Sequence, residues 1–462
     1  MLFSEMQETK RLDAKFAIHS KSDWLRKIQS KQNFIKLKEC LYSLGSGHTP
    51  YKHDVSKGDI GFITVECISG LSFNRDKLKK ITNYHFENEF LNRRIVKNSV
   101  VCTIKRRICQ AYPFFHEENL AFNQDIAILI PNSKISIGYL ATYLSCKIGQ
   151  EFANGQQTEQ MNPYISLVNL SELPIVVPSM LFQKKIDNLI LNIQKITQKY
   201  KNLYTEAEDL LLKELDLLDF EPTKENISIK SFVDSFGSSG RLDSEYYLPK
   251  YDEVIEKIKK YKGGYIYLID IAMTKRGSLI PDSYYSTNGQ AYIRGADISS
   301  NTLTNKKMTY IHSSFQGKSK TIVYENDILF ALIGSVGTAS LVTKEFENSY
   351  LSNNLGLIRL SKQVLKPIVL HLILTSKEIG TLYFEQKEMR TAQPKISDKD
   401  IHDFIIPIID QSIQTQIENK IKESFRLKEE SKELLELAKR CVEVAIEEGE
   451  EVAMEFIEKG KI

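Results

Sequence analysis

No stretch of the 462 residues approaches 18 apolar positions without a charge, so no segment reads as a membrane-spanning helix. The opening MLFSEMQETKRLDAKF places charges where an export signal keeps its apolar run, and a cytoplasmic protein with no membrane partner is expected. Cysteine is sparse: Cys40, Cys67, Cys102, Cys109, Cys146 and Cys441 form no Cys-x-x-Cys pair. No Cys/His group has metal-ligand spacing either, which predicts reduced thiols and no metal. The eight histidines include no pair four residues apart, and no Gly-x-Ser-x-Gly elbow occurs. Net charge, at +3, is too small to argue from. Its distribution is more telling. Lys21 to Pro178 holds 20 Lys/Arg against 14 Asp/Glu, whereas Asp410 to the end holds 9 against 14. Basic globular regions beside an acidic helix suit a protein that faces anions on one side and other proteins along the helix.

What is present is organised around the stretch from Ser179 to about Leu218. Ile186, Leu189, Ile193, Ile196, Tyr200, Leu203, Ala207 and Leu210 recur in steps of three and four, with charged residues between them. A seam of this length reads as one strand of a coiled coil. It needs a partner, since one apolar stripe cannot be buried alone. Ile413, Ile417, Ile421, Leu427, Leu434, Ala438, Cys441 and Ala445 offer one at the C-terminus. An antiparallel pair of long helices with a globular region at each end is the expected architecture.

The globular regions repeat. Arg11-Leu12-Asp13-Ala14-Lys15-Phe16 returns as Arg241-Leu242-Asp243-Ser244-Glu245-Tyr246, and Phe122-Asn123-Gln124 as Ser352-Asn353-Asn354. Pro163-Tyr164-Ile165-Ser166 pairs with Pro394-Lys395-Ile396-Ser397, and Gln183-Lys184-Lys185-Ile186 with Gln414-Thr415-Gln416-Ile417. Four matches in one order at a near-constant offset indicate duplication. The fold class is α+β: two duplicated mixed α/β domains separated by two long antiparallel coiled-coil helices, with pseudo-twofold symmetry. The expected boundaries are 1–178 for the first domain with its lead, 179–218 for the central helix and 219–240 for a linker. The second domain takes 241–409, and 410–462 is the C-terminal helix.

Within the first domain, strands are expected at 61–65, 100–104 and 126–130, with helical spacing at 24–36 and 139–152. The second has a helix at 251–261 and strands at 265–269, 291–294, 321–324, 328–333 and 355–360. Candidate nucleic-acid contacts follow from residue type. Arg and Lys bind phosphate or grip guanine, and Gln grips adenine. They are His48 and Thr49 in a Gly/Pro loop, Lys105-Arg106-Arg107 between two strands, and Gln156, Gln157 and Gln160 in an amide-rich loop. In the second copy they are Lys275, Arg276, Arg294, Lys318, Lys387 and Arg390. For Lys105-Arg106-Arg107 a charged hairpin tip is an equal reading, and for the glutamines an idle solvent loop is the stronger one.

Catalytic motifs are missing. Asn162-Pro163-Tyr164 is similar to the Asn-Pro-Pro-aromatic motif that holds a flipped adenine, but one proline is absent and its mate Gln393-Pro394-Lys395 has no ring. Gly334-Ser335-Val336-Gly337-Thr338 lacks the lysine of a phosphate loop. Asp282 with Glu385-Gln386-Lys387 is a chance nuclease match. A non-catalytic binding protein is expected.

With the repeat and the two helices established, the chain resembles the specificity (S) subunit of type I restriction–modification enzymes. The likeness is carried by Arg241 to Tyr247 and its copy at Arg11, by Leu44 to Pro50, by Asn326-Asp327-Ile328-Leu329 with Gly334 to Gly337, and by the apolar edges leading to Gln183 and Gln414. The resemblance implies two target-recognition domains, each reading half of a bipartite duplex DNA target, with the helices as the ruler between half-sites. It further implies two methyltransferase subunits, which carry S-adenosylmethionine and modify adenine N6, and restriction/translocase subunits, with no cofactor on this chain. Two other readings stay open: an S-like partner of a fused methyltransferase–nuclease, and a coiled-coil scaffold that binds proteins. The sequence departs from the family pattern at Phe16-Ala17, which stands against Tyr246-Tyr247. It departs also in the tail from Glu447 to Ile462, which is expected to pack near the N-terminus.

Overall fold

Apolar and β-branched runs that the chain cannot expose become the central strands. Ser99–Thr103 is buried at every position, as a strand covered on both faces must be. The computed structural model describes residues 28, 30, 32–50, 58–158, 162–299, 302–303, 308–315, 317, 320–389 and 392–460. The chain forms two compact units, one of Met1–Gln198 with Leu427–Ile462 and one of Lys199–Arg426.

In the first unit a four-stranded antiparallel sheet runs in the order Leu41–Ser46, Ile126–Pro131, Ser99–Thr103, Ala111–Phe114. The second unit repeats it as Ala272–Arg276, Leu355–Leu360, Ile328–Ala331, Ala339–Leu341, again antiparallel throughout. Each sheet divides two cores by strand alternation. Val100, Cys102, Ala127 and Leu129 face a cluster that includes the helices, while Val101, Ile126 and Ile128 face an outer sheet. In the second unit Ile328, Phe330 and Ile358 face the helices and Leu329, Ala331 and Leu357 the outer sheet.

The outer sheets share three strands and differ in the fourth. Ile60–Ile63 lies parallel to Glu118–Phe122 and antiparallel to Lys79–Ile81. Gln290–Ile293 lies parallel to Tyr350–Leu351 and antiparallel to Thr309–Ile311. The fourth strand is Arg94–Ile95 beside Glu118–Phe122 in one unit, and Tyr285–Ser286 beside Thr309–Ile311 in the other. The predicted apolar edges form short ribbons, Pro174–Val176 with Phe34–Lys36 and Ile405–Pro407 with Tyr265–Tyr267.

The long helices are Met180–Glu214 and Gln411–Glu447. In the first unit they pair antiparallel, with Thr197 bonded to Ser431 at 3.0 Å. Phe182, Ile186, Ile190 and Ile193 pack in the cluster that holds Leu437, Ala438, Cys441 and Ala445. In the second unit Tyr200 O accepts from Ser424 at 2.7 Å, and Ala207 and Leu211 share a core with Ile417 and Ile421. Of the expected positions on the first long helix, Leu189, Tyr200, Leu203 and Leu210 are only partly buried, while Ile190 and Leu211 are buried.

One device fixes both helices. Gln183 is 1% exposed; its amide donates to Pro178 O at 2.9 Å and Lys134 O at 3.1 Å and accepts from Ser136 N at 2.7 Å. Gln414, fully buried, donates to Ile409 O at 2.8 Å and Val364 O at 3.0 Å and accepts from Lys366 N at 2.8 Å. Every partner lies 230 or 231 residues from its counterpart.

Several local expectations change. The helical stretch at 139–152 is two helices, Ile137–Ser145 and Lys147–Gln156, parted at Cys146 in an extended conformation. The strand expected at 265–269 stops at Tyr267; Leu268–Ile271 is a helical turn, and the polar Ala272–Arg276 becomes the sheet strand. Of 321–324 only Ile322 pairs, in a single bridge to Tyr350. Phe34–Lys36 is strand rather than helix; most of 24–33 lies outside the described residues. The tail helix Glu450–Lys459 packs on the first unit, with Ala453 buried and Glu450 accepting from Ser179 N at 2.7 Å. Residues 1–27, its expected neighbours, lie outside the described residues.

Gln183→Leu or Gln414→Leu strands three backbone groups and is expected to cost about 2–4 kcal/mol. Urea unfolding would show it; a change under about 0.5 kcal/mol in both, equal to that of the exposed Asn188→Ala, would contradict the role assigned to these amides. His371 supplies a pH test. It is fully buried in Pro367–Thr375 with Nε2 3.3 Å from Ala339 O, and burial lowers its pKa to about 4. The folded state holds it neutral, so its contribution is complete above about pH 6.5 and is lost as pH falls from there to about 4. His371→Leu should therefore lose less stability than the wild type between pH 6.5 and 4.5, and parallel pH profiles would refute this.

Candidate nucleic-acid interface

The loops at the strand ends carry six of the fourteen candidate side chains: His48, Thr49, Lys105, Arg106, Arg107 and Arg294. Gly47 is required where it stands: a Cβ there would lie 2.1 Å from Phe122 O, and at Gly277 2.0 Å from Ser352 O. This close approach sets the next residues against the turn Asn123–Asp125. Thr49 Oγ1 donates to Gln124 Oε1, and His48 Nε2 lies 3.2 Å from Glu89 Oε2 with Phe90 beside its ring. From the other side, Lys105 pairs with Asp125 at 2.8 Å and lies 5.8 Å from the Tyr164 ring centroid. Thr49 and Lys105 therefore converge on one turn, while the His48 ring is held by Glu89 and Phe90. Thr158 and Lys105 both bridge to Tyr164, which brings the end of the glutamine segment to the same edge.

Lys105-Arg106-Arg107 does form a hairpin tip, between Ser99–Thr103 and Ala111–Phe114. Arg106, at φ +64°, pairs with Glu66 at 2.9 Å. Arg107 Nη2 donates to Val65 O at 2.7 Å and Ile68 O at 3.0 Å, so its charge fastens a turn of the outer sheet. Gln156 closes the helix Lys147–Gln156 and its carbonyl accepts from Asn169 at 3.0 Å. Gln157 is buried at 6% exposure, contrary to the exposed loop expected there. Gln160 lies outside the described residues.

In the second unit Lys275 is exposed on its strand and Arg276 Nε donates to Asn353 O at 2.7 Å. Both line a cleft of about 120 Å³ with Thr274, Asp398 and His402; His402 bonds Thr274 at 2.6 Å. Lys387 is turned inward, donating to Tyr246 Oη at 2.9 Å and lying over the Tyr246 ring. Arg294 stands apart on the outer sheet, 5.9 Å from the Tyr285 ring centroid. Lys318 and Arg390 lie outside the described residues.

Two features were missed from sequence. Arg241 of the repeated lead donates to Lys387 O at 2.8 Å and Glu388 O at 3.1 Å while pairing with Asp243, so the lead motif anchors the segment before Met389. Lys77, Lys79 and Lys80 are exposed, the last two on the edge strand Lys79–Ile81. The run Arg75-Asp76-Lys77-Leu78-Lys79-Lys80 was a readable signal. Among the described residues no three His, Cys, Asp or Glu side chains gather as a metal site, and no helix is long and apolar enough to cross a membrane.

Comparison with known proteins bears on this geometry. Residues 264–437, most of the second unit and part of the C-terminal helix, match the family model described as Type I restriction modification DNA specificity domain. That region is similar to the specificity domain of type I restriction–modification systems. The chain is also similar to the S subunit of a type I restriction–modification system from M. genitalium, with 11% identity, 93% of this chain and 96% of that chain covered, and a TM-score of 0.42. For the HsdS subunit from Thermoanaerobacter tengcongensis the identity is 13%, the coverage 90% and 97%, and the TM-score 0.30. No curated protein matches the chain.

Arg107→Ala leaves Val65 O and Ile68 O without that donor and is expected to lower stability by about 1–3 kcal/mol. Equal melting of variant and wild type would free Arg107 for a role on DNA.

Proposed function

We propose that each unit reads one half of a bipartite duplex target, and that the subunit places adenine-N6 methyltransferase subunits on both halves. The observation that carries this is the contrast between frame and surface. The central sheets and glutamine clamps are the same in both units. The outer sheets differ in their fourth strand and in their side chains, with exposed lysines on one and a cluster around Tyr284, Tyr285 and Tyr292 on the other. A repeated frame with two dissimilar faces fits two different half-sites. S-adenosylmethionine then belongs to the methyltransferase, and restriction/translocase subunits join the same complex. Base flipping and methyl transfer require none of this chain's side chains.

In the first unit the contacting set would be His48, Thr49, Lys105 and Arg106, with Lys77, Lys79 and Lys80 as phosphate contacts. In the second, Lys275 and Arg276 beside their cleft and Arg294 take that part.

Sequencing of N6-methyladenine in host DNA tests the reading. Two short motifs methylated together at a fixed gap, and lost on deletion of this gene, are expected; an unchanged methylation pattern would reject it. Lys79→Gln with Lys80→Gln should weaken DNA binding by the whole complex for all sequences alike. It should also lower the slope of log affinity against log salt by about 1.8, near 0.9 for each phosphate no longer neutralised. An unchanged slope would mean that these lysines only guard an open sheet edge.

A further inference from the structure

The two outer sheets share one more element. After Ile60–Ile63 comes a tight turn, Val65–Cys67, and a short strand, Ile68–Ser69; after Gln290–Ile293 come Gly295–Asp297 and Ile298–Ser299. Thr64 opens the first turn and Arg294 the second, 230 residues apart.

In the first unit the turn is saturated from above. Arg107 takes the carbonyls of Val65 and Ile68, Arg106 takes one Glu66 oxygen and Thr64 Oγ1 the other at 2.7 Å. In the second unit the hairpin tip is Gly334-Ser335-Val336-Gly337. Gly334 occupies the place of Arg106: its φ is +89° where Arg106 has +64°. Its N–H donates to Pro394 O at 2.9 Å, as Arg106 N does to Pro163 O at 2.9 Å. No guanidinium can descend from that tip. The turn's own guanidinium is that of Arg294.

A long ion pair to Asp297 is its only charged contact among the described residues. Arg294 Nε is buried with no partner, and the guanidinium makes no hydrogen bond to any described residue. The nearest carboxylate oxygen, Asp297 Oδ2, is 4.0 Å from Nε and accepts instead from the Arg294 backbone N at 2.8 Å. The other described arginines of this unit are engaged: Arg241 with Asp243, Arg276 with Asn353 O, Arg359 with Asp327 and Arg426 with Glu423. The Arg294 side chain is 37% exposed and packs toward Tyr285 on an aromatic sheet. A guanidinium that is 37% exposed, with no hydrogen bond on its Nη donors among the described residues, suits a planar bidentate acceptor. In the major groove that acceptor is guanine, through O6 and N7.

We propose that Arg294 is a specificity-determining residue of the second unit and reads a guanine in its half-site. This rests on the half-site reading above. The test uses the full chain in complex with its methyltransferase, comparing wild type, Arg294→Gln and Arg294→Lys. Methylated motifs are sequenced, and binding is measured to duplexes changed one base pair at a time. One guanine position in one half-site is expected to lose discrimination by roughly tenfold or more in both variants, with the other half-site and the salt slope unchanged. Arg294→Lys keeps the charge and the aliphatic stem, so it guards against misfolding as the cause. A uniform loss for all sequences, with the slope down by about 0.9, would make Arg294 a phosphate contact and overturn the proposal. So would an unchanged motif in both variants. If the wild type itself methylates no bipartite motif, the half-site reading falls and the inference with it.

Discussion

A buried amide that must be satisfied sets the frame of each unit. Gln183 and Gln414 each hold three backbone groups: a carbonyl from the apolar edge, a carbonyl from the loop after a central strand, and the N–H of Ser136 or Lys366 just before a core helix. A leucine would bury as much surface but answer none of them. Each unmet group costs about 1–3 kcal/mol, so a helix slipped by one residue is penalised several times over. Hydrophobic burial gives the long helices their stability but no comparable sense of register, because neighbouring apolar residues can exchange places at small cost.

The clamp was legible as a repeated Gln-x-x-Ile, because its two copies open the same kind of helix. Its mechanism was not, since the partners are main-chain atoms and leave no mark in the side-chain sequence. The seam and the apolar edges were legible from periodicity. Ala272–Arg276 was not: Met-Thr-Lys-Arg has the composition of a loop, yet five consecutive pairings with Leu355–Leu360 make it a strand. It lies at the edge of its sheet, where one long flank is open to solvent and polar residues are no obstacle. Propensity yielded there to tertiary pairing.

The candidate interface was legible by residue type and not by availability. Arg107, Arg276 and Lys387 are basic, near strand or helix ends, and hydrogen-bonded within the protein. Nothing in the sequence separates them from Lys79 or Lys80, which are exposed. An arginine bonded to two carbonyls and an arginine with an open donor fork are spelled alike. The freedom of Arg294 depends on a distant fact, that the second hairpin tip carries Gly334 and Ser335 where the first carries Arg106 and Arg107.

Such differences can accumulate without harming the frame because each central sheet keeps two cores apart. In the first unit, the residues that pack on the helices and those that pack on the outer sheet alternate along the same strands. The second unit repeats the division, with Leu329 and Leu357 on one side and Phe330 and Ile358 on the other. A substitution in the outer sheet meets the far side of a hydrogen-bonded four-stranded layer before it can reach Gln183 or Gln414. Sites with no shared partners combine nearly additively, so the outer surface can be rebuilt while the clamp and the helix pairing hold their energies. The lysine edge of one unit and the aromatic sheet of the other are two outcomes of that freedom on one frame.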